Sequence, residues 1–371
     1  MPRADVVVVG AGAMGSATAW HLARRGRSVA LLERFEQGHV RGSSHGGSRV
    51  FRLAYDDPEY VHLARAALAG WRELEDDAGE DLLDLTGGVD HGEAAAVDRV
   101  AAALAGSGAA FEVLAPGAAA RRWPGLRFDG QVLFSPEGGR CRSDATVTAL
   151  HRRVAELGGD VRFETPVEAV VPAAGGVEVR TADQTWRADA AVVAAGSWLP
   201  QLAADVPGLP AFEVTKEQVV HFPTAPGAPG LEAWPSFVHR GSWIYGLATP
   251  GQGVKVAEHH TGAVVDPDAR SFEPDAKGVE RVRRYAAEWL PGVVPEPSSV
   301  TTCLYTSTPS EDFVLDRVGP VVVASPCSGH GFKFTPEIGR LVAGLALGEP
   351  PEVARFTVAA HAGAGRPAGH R

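Results

Sequence analysis

Lysine is nearly absent from this chain: of 35 Lys and Arg residues in 371 positions, only Lys216, Lys255, Lys277 and Lys333 are lysines. Each is a place where a compact ammonium stands although the chain elsewhere uses arginine. Cysteine is as scarce. Cys141, Cys303 and Cys327 form no CxxC pair and share no Cys/His spacing of a metal site, which argues against a disulfide framework and against a metal, and for a reducing, cytoplasmic setting. No apolar run reaches the roughly 20 residues of a bilayer-spanning helix, so no membrane partner is expected. The apolar start "ADVVVVGAGAMGSATAWHLARRG" could be mistaken for a leader, but Asp5 interrupts its front and glycines punctuate its middle. Any stripe of positive charge is missing too. With a net charge of −10, nucleic acid is not an expected partner, and an anion bound here must be drawn by local charge.

What is present is a globular composition, 45% hydrophobic and 22% charged, in a chain long enough for more than one domain. The stretch "DVVVVGAGAMGSATAWHLARRGRSVALLER" predicts a buried strand over Val6–Val9, a glycine turn, an amphipathic helix over about Met14–Arg25, and a second strand over Ser28–Leu32 ending at Glu33. Gly10, Gly12 and Gly15 spell GxGxxG: a tight turn, a close backbone approach to a pyrophosphate and tight helix-to-strand packing each need a missing side chain. Glu33 is placed to accept hydrogen bonds from a ribose. In this strand–helix–strand context the motif indicates dinucleotide binding and leaves FAD and NAD both open.

The next segment, "GSSHGGSRVFRLAY", carries His45, Arg49 and Arg52 among small residues where a nicotinamide enzyme would continue into regular structure; a solvated loop with two surface arginines is the alternative. Further on, "AAVVAAG" predicts a buried strand returning to the first sheet and ending at Gly196. Lys255 alternates with Val254 and Val256 in "GVKVAEHH", which puts it on the opposite face of a strand, facing either solvent or a site. Lys333 sits in "SGHGFKFT", where Gly329 and Gly331 allow close backbone approach; its alternatives are a snorkelling surface lysine and a functional cation.

Six segments in order, "VVVVGAGAMGSA", "GSSHGGSRVFRLAY", "AAVVAAGSWLPQL", "WIYGLATPGQGVKVAEHH", "TTCLYTSTPSEDFVLD" and "SGHGFKF", resemble the monomeric sarcosine oxidase and N-methyltryptophan oxidase family of flavoenzymes, from about Ala4 to Phe356. The resemblance implies FAD attached covalently through Cys303, although on the residues alone Cys303 could be an inert buried thiol. It implies a carboxylate clamp of Arg52 and Lys333, and an oxygen-activating Lys255 on the other face of the flavin with Arg49 beside it. It places Tyr245, His259 and His330 around the reacting groups, although the histidines could be structural. Cofactor contacts are implied at Ser43, His45, Gly46, Ser48, Val167, Gly196, Gly329 and Gly331, in addition to Gly10, Gly12, Gly15 and Glu33. The implied reaction passes a hydride equivalent from a secondary amine acid, such as sarcosine, to flavin N5; the imine then hydrolyses and dioxygen becomes hydrogen peroxide. The protein is expected to act as a monomer on a small amine acid and O2. A cyclic imino acid or biosynthetic intermediate as substrate, or a flavin subunit passing electrons to a partner, remain as alternatives.

The expected fold is α/β: a Rossmann-type FAD-binding domain over 1–85, 143–206 and 300–371, and a substrate domain over 86–142 and 207–299 built on an antiparallel β-sheet. The segments "EVTKEQVVHFP", "PSFVHRG", "SWIYGLATP" and "GVKVAEHH" predict its strands, and "SDATVTALHRRVAELGG" a helix capped by Ser143 or Asp144 and stopped at Gly158. The chain departs from the family pattern at Ser325, Pro326 and Cys327 and at Ser44, which leaves the cavity size open.

Overall fold

The computed structural model describes residues 1–228 and 230–362. The expected end of the FAD-binding part at 371 lies outside them. The first sheet has five parallel strands in the order Asp160–Arg162, Val29–Leu32, Arg3–Val9, Thr185–Val193, Val321–Ser325. The last of these also pairs antiparallel with Val314–Val318. The first half of Thr185–Val193 instead pairs with an antiparallel ribbon of Val167–Ala173 and Gly176–Thr181. Nearly continuous burial of these strands follows from cover on both faces. Helices Ala13–Arg24, Ser143–Glu156 and Thr335–Ala346 pack on one face, and the ribbon with Leu199 and Ala203 on the other. Gly339 brings two of these helices together, since a Cβ there would stand 2.7 Å from the Ala17 Cβ.

The second sheet has nine strands in the order Ala263–Val264, Glu213–Phe222, Gly253–Glu258, Ile244–Thr249, Ser236–Arg240, Gly88–Gly92, Val132–Ser135, Glu112–Leu114, with Ser299–Ser307 also paired to Glu213–Phe222. It is antiparallel except where Ser236–Arg240 runs parallel to Gly88–Gly92. The expected boundary at 300 cuts through a strand: Ser299–Ser307 pairs along its whole length with Glu213–Phe222, so by hydrogen bonding it belongs to the second sheet. Val220, Phe222, Val254, Val256 and Phe237 pack on helix Ala276–Trp289, and their alternate neighbours face the first sheet.

The expected caps of helix Ser143–Glu156 serve elsewhere. Arg142 holds the cap position without a side-chain bond, while Ser143 Oγ donates to the Gly46 carbonyl and Asp144 Oδ1 accepts the Gly46 N–H at 2.7 Å. They tie the helix to the 42–48 loop. Gly158, at φ +88°, ends the helix as expected.

Candidate active site

Strand Arg3–Val9 runs into Gly10, whose φ of +99° favours glycine and whose added Cβ would lie 2.6 Å from the Ala194 carbonyl oxygen. Gly15 is more constrained, because a Cβ there would lie 1.9 Å from the Gly10 carbonyl oxygen. Gly12 differs in kind. Its φ is −68° and an added Cβ would meet only the Ser44 side chain, at 3.1 Å, so the missing atom keeps space clear before the N-terminus of helix Ala13–Arg24. Backbone N–H groups and the helix dipole make that space suited to a phosphate. Ser44 Oγ accepts the Ala13 N–H at 3.1 Å, so the departure at this position supplies a bond to the helix start. Glu33 accepts the Ala11 N–H at 2.8 Å and the Phe35 N–H at 3.1 Å. Burial pushes the Glu33 carboxyl up, but a hydrogen bond and charge from His39 and the two N–H groups hold it below its ordinary value. The Gly12 clearance, the helix start and this fixed carboxylate fit the pyrophosphate and ribose of FAD.

A cavity of about 1470 Å³ extends from this point between the two sheets. All expected site residues line it except Gly15 and Ser48, which stand behind its wall. The register of the second sheet orders one side into cross-strand rows: Leu247, Lys255, His221 and Ser299; then Glu217 and Cys303; then Thr215 and Tyr305. Lys255 is buried, not solvent-facing, and its Nζ donates to the Ser48 carbonyl. Arg49 donates to the same carbonyl at 2.8 Å, and to the carbonyls of Ser43 at 2.8 Å and His45 at 2.6 Å, wrapping the 42–48 loop around its guanidinium. Ser48 Oγ bonds Thr249 Oγ1 at 2.6 Å, joining that loop to the second sheet.

Also lining the cavity, Arg52 and Lys333 converge on Tyr55. Lys333 Nζ donates to the Tyr55 hydroxyl at 2.9 Å and to the His330 carbonyl, and the Arg52 guanidinium lies 4.3 Å from the Tyr55 ring centroid while donating to the Ala54 carbonyl at 2.6 Å. Lys333 sits on the short helical turn Phe332–Phe334 that leads into helix Thr335–Ala346, and is buried rather than snorkelling. His330 Nδ1 bonds the Tyr55 hydroxyl at 3.1 Å, His259 Nδ1 the Tyr305 hydroxyl at 3.4 Å, and Tyr305 bonds Tyr245. The constraint on Gly329 and Gly331 comes from protein atoms: added Cβ atoms would lie 2.4 Å from the Tyr305 ring and 1.7 Å from the Pro326 carbonyl oxygen.

Burial dominates the electrostatics. It pushes the amines of Lys255 and Lys333 well below their ordinary range, helped by Arg49 at the first and Arg52 at the second. Burial also keeps His259 and His330 neutral and raises the Tyr55 and Tyr245 hydroxyls to about 12. The Cys303 thiol, half-buried on the wall, is pushed up by burial, a rise that Arg49 and Lys255 offset only in part. Cys141 is fully buried outside the cavity, and Cys327 accepts the Thr306 N–H at 3.3 Å. His45 is neutral, held down to about 3 by burial, with its Nε2 unpartnered. Among the described residues, Arg52 and Lys333 bond only to backbone carbonyls and to Tyr55.

Four residues emerge that the sequence reading leaves out. Tyr55 ends the segment "RVFRLAY", and Tyr305 follows Cys303 by two positions on a strand, so both stood within quoted motifs. His221 becomes visible only through its register opposite Lys255, and Arg240 only through its contacts with Asp90 and, at 3.0 Å, the Ala54 carbonyl.

A family model described as FAD dependent oxidoreductase matches residues 5–345. Monomeric sarcosine oxidase of Streptomyces avermitilis is 34% identical over 93% of this chain and 94% of its own length. Human peroxisomal sarcosine oxidase is 33% identical over 92% of each chain, and N-methyl-L-tryptophan oxidase of Yersinia pestis 29% identical over 96% and 98%. Among solved structures, NikD, an unusual amino acid oxidase essential for nikkomycin biosynthesis, superposes in its open form with a TM-score of 0.84 at 26% identity, over 96% of this chain and 98% of that one.

Proposed function

Because this chain belongs to the family of FAD-dependent oxidoreductases, with amine oxidases acting on CH–NH donors among its relatives, we propose that it oxidises secondary amine acids of the N-methyl amino acid type, with dioxygen as acceptor. The observation that carries this reading is the convergence of Arg52 and Lys333 on Tyr55 in the cavity with no carboxylate bonded to either among the described residues. A part-buried guanidinium and a buried amine with no bonded carboxylate among the described residues favour an anionic ligand, and a substrate carboxylate is the simplest.

FAD, when bound, supplies two-electron acceptance from the substrate and return of those electrons to oxygen. The chain's own residues do the rest. Arg52 and Lys333 hold the substrate carboxylate and so fix the amine carbon in one place. Neutral His259 and His330, with Tyr245 and Tyr305, surround the amine with groups that accept or donate hydrogen bonds without adding charge. Negative charge developing on oxygen would favour the ammonium form of Lys255 and be stabilised by it, Arg49 shapes the loop beside it, and Cys303 would attach FAD through a thioether. The products are an imine, which hydrolyses, and hydrogen peroxide. The name of the Streptomyces relative supports action as a monomer, and the free cysteines support a reducing compartment.

The test compares ligands with and without a carboxylate. Arg52→Ala and Lys333→Ala should each weaken carboxylate-bearing inhibitors by about 1.5–3 kcal/mol, the scale of a hydrogen bond to a charged group, and leave neutral amine analogues nearly unaffected. Equal losses for both would mean general disruption of the cavity and would remove the basis of the proposal.

A further inference from the structure

On the face of the second sheet away from the cavity, a polar cluster lies inside an aromatic core. His91 and His239 are paired across parallel strands Gly88–Gly92 and Ser236–Arg240, so both rings leave the sheet on the same side, with centroids 4.2 Å apart. Phe128 and Trp289 pack against the pair, and both rings are buried. From the loop before Val132–Ser135, Asp129 brings one carboxylate oxygen within 2.9 Å of His91 Nδ1 and 3.5 Å of His239 Nε2. Gly92 permits the approach: at φ +105°, an added Cβ would stand 2.7 Å from the His239 ring.

We propose that His91, His239 and Asp129 form a binding site for a divalent first-row transition-metal ion, with zinc as the representative ligand. Two ligands on one tetrahedral zinc, each bonded at about 2.0–2.2 Å, stand roughly 3.3–3.6 Å apart. Of the two separations, 3.5 Å lies within that range and 2.9 Å somewhat below it, and ligand atoms from all three residues fall within 4.8 Å of one another. Two imidazoles and one carboxylate suit an ion of borderline softness better than magnesium or calcium, which prefer all-oxygen sites. The outer contacts are also in place: the Tyr285 hydroxyl lies 3.2 Å from His239 Nδ1, which leaves Nε2 directed at Asp129. Burial favours the neutral imidazoles that ligate. Asp129 is 48% exposed, so the remaining coordination position opens to water. A bound ion would pin the Asp129 loop to the sheet. Positions 91, 129 and 239 lie too far apart in the chain to read as a metal motif, which is why the sequence alone argues against one.

The experiment is a calorimetric titration of the FAD-loaded, chelator-washed protein with zinc chloride. One ion per chain should bind saturably. Tyr285→Phe should weaken binding by about 10–100-fold, the usual effect of losing an outer-shell partner, and Asp129→Asn and His91→Gln should each weaken it further. Unchanged visible absorption of the bound FAD shows that each variant is folded, and the half-exposed Asp129 gives the variant least able to disturb packing. Absence of saturable binding, or equal binding in wild type and Asp129→Asn, would reduce the cluster to a hydrogen-bonded His–Asp–His set and overturn the proposal.

Discussion

Lys255 and Lys333 are both buried amines whose hydrogen-bond partners among the described residues are carbonyls and one tyrosine hydroxyl, so no carboxylate among those residues is bonded to either. For Lys333 the missing charge comes with the ligand. A bound carboxylate restores the ammonium, so binding takes up a proton when the free amine is neutral, and affinity should fall as pH rises through a pKa well below 10.5. An inhibitor titration across pH should show that fall in wild type and lose it in Lys333→Met. For Lys255 the proposed reaction develops the opposing charge on oxygen, which favours the protonated amine. Lys255→Met keeps the stem and deletes the charge, so anaerobic reduction by substrate should stay within an order of magnitude, while reoxidation should slow by roughly a hundred- to a thousandfold, about 2.7–4 kcal/mol. Stopped-flow measurement of both halves decides it; slow reduction with normal reoxidation would place Lys255 on the substrate side. Cys303 gives a third residue-scale outcome. Acid-precipitated protein should stay yellow, and Cys303→Ser, but not Cys141→Ser or Cys327→Ser, should lose the retained FAD. Scarcity made Lys333 and Lys255 readable in the sequence. His221 was not, because histidine is common here and only strand register sets it opposite Lys255.

At the scale of elements, the glycine turn after the first strand separates two jobs that GxGxxG runs together. Gly15→Ala places a Cβ 1.9 Å from a backbone oxygen that cannot rotate away, so it should cost at least the roughly 1–3 kcal/mol of core overpacking and lower the melting temperature even without cofactor. Gly12→Ala meets only a movable serine, so the apoprotein should keep its stability and lose FAD affinity instead. Thermal melts of the apoproteins together with FAD titrations distinguish the two; equal destabilisation would refute the division. Elements of this kind were legible because their constraint is local: the predicted helix and second strand match within one residue at each end, and the first strand ends at Val9 as predicted but starts three residues earlier, at Arg3. Where long-range pairing decided, the sequence said less. Ser299–Ser307 follows the second sheet through register with Glu213–Phe222, and Ser143 and Asp144 leave their capping roles because Gly46 lies within reach.

For the whole molecule, the cavity is the space between two sheets that polar links hold in register, several of them through the 42–55 segment. Lys255 and Thr249 reach Ser48, and Arg240, paired with Asp90, shares the Ala54 carbonyl with Arg52. Each of these joins the second sheet to the 42–55 segment, so cations from three parts of the chain face one enclosed volume. No helix among the described residues is long and apolar enough to cross a membrane. The proposed function requires this volume to oxidise an N-methylated amino acid through its FAD. The most direct measurement is anaerobic mixing of the purified FAD-loaded chain with sarcosine and larger N-methyl amino acids, followed by admission of air. The expected result is loss of the oxidised flavin absorption with at least one of them, then, once air and the remaining amine are allowed to react, recovery of the absorption with one hydrogen peroxide formed per amine oxidised; an absorption that no N-methyl amino acid diminishes would overturn the proposed function.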